Sequence, residues 1–326
     1  MRRREFIAGL GGAAAAWPVV ARAQQAMPVI GFLNTASPEA FVDYVRAFRN
    51  GLGKAGYVEG RNVVIEYRWA LGSSARLKEM AADLVRRRVA VIAATGGSPA
   101  AIEAKAATNI IPIVFQVGID PISLGLVASL NKPGGNVTGA TMMASDLGLK
   151  RLEVLREVVP KAKSLAALVD PTTNRIEFQL GELRSAAENL GLRVHVIYAS
   201  AESELETAFE KVRASGADAL FIVSSPLFNG LSAQLATLAL RHLIPTIYQS
   251  RAFADAGGLV SYGGSITDAY YQAGIYTGRI LKGDNPADLP VQQSTKVELI
   301  VNLKTAKALN VTIPLTLLGR ADEIIE

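Results

Sequence analysis

Val89-Ala90-Val91-Ile92-Ala93-Ala94-Thr95-Gly96-Gly97-Ser98-Pro99 is the stretch whose reading decides the fold. An uncharged apolar run, a glycine turn and then Ser-Pro describe a strand buried on both faces that feeds directly into a helix. Ser98 is a natural N-cap and Pro99 fits the first helical position. The same unit recurs on both sides. Upstream, Val29-Ile30-Gly31-Phe32-Leu33 reads as a short buried strand, followed by a helix over about 38–54. In that helix Phe41, Val45, Phe48 and Leu52 share one face. A second strand is expected over 62–69 and a helix near 73–87; a further strand follows at 111–117. Downstream, strands are expected at 164–169, 193–198, 219–223 and 246–248. Continuous apolar strands separated by helices imply parallel strands covered on both sides, a doubly wound α/β sheet.

The series occurs twice. Pro133-Gly134-Gly135-Asn136-Val137-Thr138-Gly139 is a turn-rich break between the two runs, and the boundary is expected just after it. The second run ends near 260, leaving a helix over about 267–282 and a strand at 296–302. Such tail segments cross back, one to each half. The expected architecture is α/β, with two doubly wound parallel-sheet lobes joined by a multi-strand hinge.

The first residues, MRRREFIAGLGGAAAAWPVVARAQQ, have the anatomy of a secretory signal peptide. Arg2, Arg3 and Arg4 form a cationic head, the run 6–20 is uncharged, and Ala21-Arg22-Ala23 is a small-x-small cleavage site. Arg3-Arg4-Glu5-Phe6-Ile7 resembles the twin-arginine export motif; an ordinary signal with a chance arginine pair is the alternative. Cleavage near Ala23 would remove four arginines and one glutamate, so the formal charge of +5 falls to +2. That near-neutral surface gives no electrostatic case for nucleic acid or anionic lipid. The chain has no cysteine, which excludes disulfides, thiolate chemistry and a lipid anchor on an N-terminal cysteine. Beyond residue 23 no uncharged apolar run reaches the ~20 residues of a membrane span. The mature chain is expected to be exported, soluble and not inserted in the membrane.

In open parallel sheets ligands bind outside the carboxyl ends of the strands, so the loops there carry the candidate residues. They are Asn34-Thr35-Ala36-Ser37-Pro38, Thr95-Gly96-Gly97-Ser98-Pro99, and Gln116-Val117-Gly118-Ile119-Asp120-Pro121 in the first half. In the second half they are Asp170-Pro171-Thr172-Thr173-Asn174, Ser224-Ser225-Pro226-Leu227-Phe228, Gln249-Ser250-Arg251 and Tyr262-Gly263-Gly264-Ser265. Hydroxyls and amides dominate and charges are few. The loop at Thr95, Gly97 and Ser98 offers backbone N–H groups to a carboxylate; a helix start that only caps itself is the alternative. Arg251 is suited to forking a carboxylate, or to bracing a lobe. Asp120 before Pro121 also reads as a helix cap without ligand contact. Phe115, Phe228, Tyr248 and Tyr262 are candidates for ring stacking or for core.

No catalytic set is recognisable. Two isolated histidines, His195 and His242, with no cysteine cannot supply an ordinary zinc site. GxSxG, GxxxxGK[ST] and HExxH are absent from the mature chain. No metal and no cofactor is expected.

Further stretches carry a family resemblance. They are Gly56-Tyr57-Val58-Glu59-Gly60-Arg61-Asn62, Pro112-Ile113-Val114-Phe115, Asp120-Pro121 with Gly125-Leu126-Val127, and Pro133 through Gly139. Ala256-Gly257-Gly258-Leu259-Val260-Ser261-Tyr262-Gly263 and the closing run with Ala306, Leu309, Ile313-Pro314 and Ala321 complete them. In these residues the chain resembles the ABC-transporter substrate-binding proteins of the tryptophan-binding-like branch, with the type 1 periplasmic binding fold. The resemblance implies an N-terminal lobe of 28–143 plus 263–290 and a C-terminal lobe of 144–262 plus 291–326. It implies a binding protein, not an enzyme, that holds its ligand in the cleft by hinge closure. The neutral hydroxyl and amide loops suit a small polar or zwitterionic ligand. The export signal implies the periplasm, and a monomer is the default expectation. An amino acid or aromatic carboxylate would suit. The ligand would pass to an inner-membrane ABC permease driven by a cytoplasmic ATPase. The family's Gly-Thr after the third strand is here Gly97-Ser98. Carried over as cleft residues are Asn34, Ser98 and Asp120, with Asn174, Ser225, Tyr248 and Arg251 from the second lobe; the loops add Thr95, Gly97 and Gln116. An exported sensor for a membrane receptor, or a periplasmic enzyme, are the alternatives on the same fold.

Replacing Arg3-Arg4 by Lys-Lys is expected to leave the precursor in the cytoplasm, read by fractionation and immunoblot. Normal export of that variant would assign the general secretory route.

Overall fold

The computed structural model describes residues 27–142, 147–173, 176–294 and 297–326. The signal segment 1–23 lies outside the described residues. Among them thirteen strands form two sheets. The first holds β1 (Val29–Asn34), β2 (Val64–Trp69), β3 (Val91–Ala94), β4 (Ile113–Val117) and β5 (Val137–Thr141). The second holds β6 (Ser164–Val169), β7 (Arg193–Tyr198), β8 (Ala219–Ile222), β9 (Thr246–Tyr248) and β10 (Val260–Gly264). Of the last three strands, β11 (Gln292–Gln293) joins the first sheet, while β12 (Val297–Asn302) and β13 (Glu323–Ile325) join the second. The orders are β11-β5-β4-β3-β1-β2 and β13-β12-β10-β9-β8-β6-β7. Every pairing is parallel except β10 with β12, where the chain re-enters the second sheet in the opposite sense.

Alternation along each strand sends neighbouring side chains to opposite faces. Phe32 of β1 packs with Phe48 and Tyr270 on one face, and Leu33 packs with Leu77 and Ala101 on the other. The second sheet is covered in the same way by two separate apolar clusters. This is the two-lobe architecture expected from the repeated apolar strands.

Two details differ from the expected outline. The stretch 133–139 is only half a turn: Gly134 and Gly135 turn the chain, and Val137 already starts β5. Gly139 belongs in that strand because β5 presses on β4; a Cβ there would lie 2.2 Å from the Phe115 carbonyl oxygen. The crossings also fall elsewhere than at 263 and 290. Gly263 and Gly264 still pair with β12, and Gln292 and Gln293 pair with β5.

The helix Ile266–Leu281 returns from the second sheet to pack on the first lobe against the helix Val42–Lys54. The two backbones touch at glycines. A Cβ on Gly51 would lie 2.0 Å from the Tyr271 carbonyl oxygen, and one on Gly274 would lie 2.1 Å from that of Phe48. Gly274→Ala would gain about 1 kcal/mol of helix propensity but must push two backbones apart. Overpacking of this kind costs ~1–3 kcal/mol and meets rigid carbonyls here, so the net change is expected to be destabilising. Urea denaturation should show a lower midpoint; an unchanged or raised midpoint would mean that the helices separate without cost.

Candidate functional site

The strand ends of both sheets face one cavity of about 660 Å³. From the first lobe it is lined by loops after β1, β2, β3 and β4, and from the second by loops after β6, β7, β8 and β9. Its apolar surface includes Phe41, Leu71, Leu77 and Ile102, all from the first lobe. The polar surface is nearly all hydroxyl and amide: Thr95, Ser98, Gln116, Thr172, Thr173, Ser224, Ser225, Asn229 and Gln249. Among the described residues three acids, Glu103, Asp170 and Glu202, line it and no lysine or arginine does.

Two hydroxyls in this wall are buried without a partner among the described residues. They are Thr95 Oγ1 in the first lobe and Thr173 Oγ1 in the second. A buried polar atom without a partner is costly unless something arrives to satisfy it. Asp170, by contrast, is heavily committed. Its Oδ1 accepts from Thr172 N at 2.9 Å and Thr172 Oγ1 at 2.6 Å, and its Oδ2 accepts from Ser225 Oγ at 2.6 Å. A carboxylate has about four lone-pair sites, so the described residues leave one of them unoccupied.

The returning helix supplies Tyr270, which closes the first-lobe wall. Its hydroxyl accepts from Asn34 Nδ2 at 3.1 Å and donates to the Thr95 carbonyl. Burial pushes that phenol far above its ordinary pKa, so it remains a donor. The lobes also touch across the cleft. Tyr44 Oη and Ser250 Oγ lie 3.4 Å apart, and a Cβ on Gly97 would lie 2.7 Å from Pro226 Cγ.

Of the residues expected from sequence, Thr95, Gly97, Ser98, Gln116 and Ser225 line this cavity together. Asn34 and Tyr248 are fully buried one layer behind it. Asn34 Oδ1 holds the Ala36 N–H at 2.9 Å, and the Tyr248 hydroxyl meets Asn229 Oδ1 at 2.7 Å. Asp120 caps the following turn through Ile122 N and Ser123 N, at 3.0 and 3.2 Å, outside the lining. Asn174 lies outside the described residues. Arg251 is turned to the surface, where it pairs with Asp255 at 3.3 Å and Glu323 at 2.7 Å. Phe115, Phe228 and Tyr248 are core. The wall residues beyond the expected set, Asp170, Thr173, Ser224, Asn229 and Gln249, lie in or just after the same strand-end loops. Tyr270 comes from a helix that periodicity alone does not aim at a site.

A family model for ABC transporter substrate-binding proteins matches residues 29–325. The tyrosine-binding protein of Clostridioides difficile (strain R20291) is 28% identical over 266 residues, 81% of this chain and 76% of that protein. The structure of an ABC domain from Streptococcus pneumonia in complex with L-Trp is 25% identical. It overlays with a TM-score of 0.80 and covers 91% of this chain and 99% of that one. A conserved domain protein from Vibrio cholerae O1 biovar El Tor is 24% identical with a TM-score of 0.83 and the same coverage.

Two substitutions separate wall from surface. Tyr270→Phe strands Asn34 Nδ2 and the Thr95 carbonyl, and should destabilise the chain by about 1–3 kcal/mol. Arg251→Ala removes an exposed pair and should cost no more than ~1 kcal/mol, with ligand affinity unchanged. Denaturant titration reads the first and calorimetry the second; a large affinity loss in Arg251→Ala would place it back at the site.

Proposed function

The chain belongs to the ABC transporter substrate-binding protein family, and from that premise we propose that it captures a small zwitterionic ligand for an ABC importer. The ligand class we assign is an amino acid with an apolar, aromatic side chain. The observation that carries this reading is the pair of unpartnered buried hydroxyls, Thr95 and Thr173, contributed by opposite lobes to one cavity. A ligand that satisfies both at once binds the closed form better than the open one, and that differential affinity drives hinge closure.

The lining supports the class. Phe41, Leu71, Leu77 and Ile102 suit an apolar body, and the hydroxyl and amide wall suits a polar head. The free acceptor site of Asp170 suits an ammonium. Among the described residues no basic side chain lines the cavity, so they offer a phosphate no charge partner. A relative named tyrosine-binding protein and a fold relative solved with L-Trp point the same way. Among the sequence candidates we assign ligand contact to Thr95, Gly97, Ser98, Gln116 and Ser225. Asn34 and Tyr248 support the wall from behind, and Asp120 caps a loop beside it.

The moving bodies we assign are the two sheets with their helices, crossing at 142–147, at 264–265 and at 294–297. The setting we assign is export by the twin-arginine route, as the N-terminal segment suggests, work in the periplasm as a monomer, and, as for the family, delivery to a membrane permease coupled to a cytoplasmic ATPase. No described helix is long and apolar enough to cross a membrane.

A thermal-shift screen of the mature chain against amino acids, aromatic carboxylates, purines and small sugars tests the reading. A ligand at a hundredfold excess over its dissociation constant stabilises the folded state by ~2.7 kcal/mol. Aromatic amino acids are expected to raise the midpoint. A hit confined to purines or sugars, or none at all, would overturn the ligand class.

A further inference from the structure

Arg151 is the one buried cation among the described residues, 2% exposed on the helix Gly148–Val158 of the second lobe. Its guanidinium lies 5.3 Å over the Phe221 ring, and no carboxylate among the described residues pairs with it. Burial pushes its pKa down to about 10, so it still carries its proton at neutral pH. An unpaired buried charge is expensive, and what it touches leads towards the cleft. Nη1 donates to Gln249 Oε1 at 3.2 Å, and Nη2 donates to Ser224 Oγ at 3.0 Å.

A guanidinium donates and never accepts. Gln249 is therefore forced to turn its oxygen towards Arg151, and Ser224 Oγ donates to the same oxygen at 2.5 Å. The Gln249 amide nitrogen then faces the other way and donates to Asn229 Oδ1 at 3.0 Å. The Tyr248 hydroxyl donates to that oxygen too, at 2.7 Å. With its oxygen held twice, Asn229 must present Nδ2, which has no partner among the described residues, and Asn229 lines the cavity. Each link passes donor character away from the cation, and such a chain polarises as it goes.

We propose that Asn229 Nδ2 receives the carboxylate of the ligand, and that Arg151, acting through Gln249, is the positioning residue that fixes this polarity. The inference rests on the amino-acid reading above and narrows it: the ligand has a free carboxylate and is not an ester, an amide or an amine. Ser225 links this pole to the other, since its hydroxyl bonds Asp170 while its carbonyl lies 3.3 Å from the Tyr248 hydroxyl. Carboxylate and ammonium of one zwitterion thus have separate, adjoining places on the second lobe.

Isothermal titration of the purified chain with L-tryptophan and with L-tryptophanamide tests it. The wild-type chain is expected to prefer the carboxylate by more than about tenfold, the scale of one hydrogen bond to a charged group. Asn229→Asp keeps the acceptor for Gln249 and Tyr248 but replaces the free donor by an anion. It should reverse the preference while leaving the melting midpoint of the unliganded chain unchanged. Arg151→Met frees the Gln249 amide to flip and should shrink the preference to below roughly threefold. If that variant fails to fold, Gln249→Glu decides, because it pairs with Arg151 yet removes the donor to Asn229. Equal weakening towards both ligands in these variants would make the network structural and overturn the proposal. Equal wild-type binding of acid and amide would overturn it as well, with the binding reading intact. Binding of neither would overturn the amino-acid reading and this one with it.

Discussion

The closest constraint in the molecule is the backbone contact between the helices Val42–Lys54 and Ile266–Leu281, made at Gly51 and Gly274. It fixes more than one helix pair. The second of these helices follows directly from β10, which is a strand of the other lobe. Docking it on the first lobe forces the chain to cross the cleft a second time, and β11 and β12 force a third crossing. The two sheets are thereby joined by three passages of the chain and not by one. The same docking carries Tyr270 to the floor of the cleft, where it ties Asn34 to Thr95. A side chain at either glycine would hold the helices apart and withdraw that tyrosine from the wall.

The fold was legible because burial on both faces leaves a plain mark. Strands such as Val91–Ala94 and Ser164–Val169 are apolar or small at every position and fully buried. The short pieces were not legible. Gln292–Gln293 and Glu323–Ile325 are edge strands with exposed residues, and nothing in two or three such residues distinguishes a strand from a loop. Gly139 misled for a physical reason. A glycine in a turn and a glycine that admits a neighbouring strand are identical in sequence, and the 2.2 Å approach to Phe115 exists only after folding.

The site was legible wherever topology alone determines position. Strand ends of a doubly wound sheet converge, so Thr95, Ser98, Gln116 and Ser225 share a cavity whatever the detail of their loops. Orientation within a loop was not legible. Arg251 stands at the right end of β9, but it opens a helix and its side chain follows that helix outward to Asp255 and Glu323. Arg151 carries no mark in the sequence at all, because its burial depends on the ring of Phe221 lying beneath it. Asn229 sits beyond the strand-end loop proper, in the short helix Pro226–Gly230, so a search confined to the loops passes it by.

Placing the cation behind the wall instead of in it has a thermodynamic consequence. A guanidinium lining the cleft would be hydrated in the empty site, and each binding event would have to strip that water again. Arg151 loses its hydration once, when the second lobe folds, so its desolvation is charged to the stability of that lobe and not to ligand affinity. What reaches the cleft is only the orientation of two amides, held ready before the ligand arrives. A neutral donor so fixed distinguishes a carboxylate from its amide without attracting every anion that passes. It also forms no direct ion pair with a ligand that dissociation would have to break.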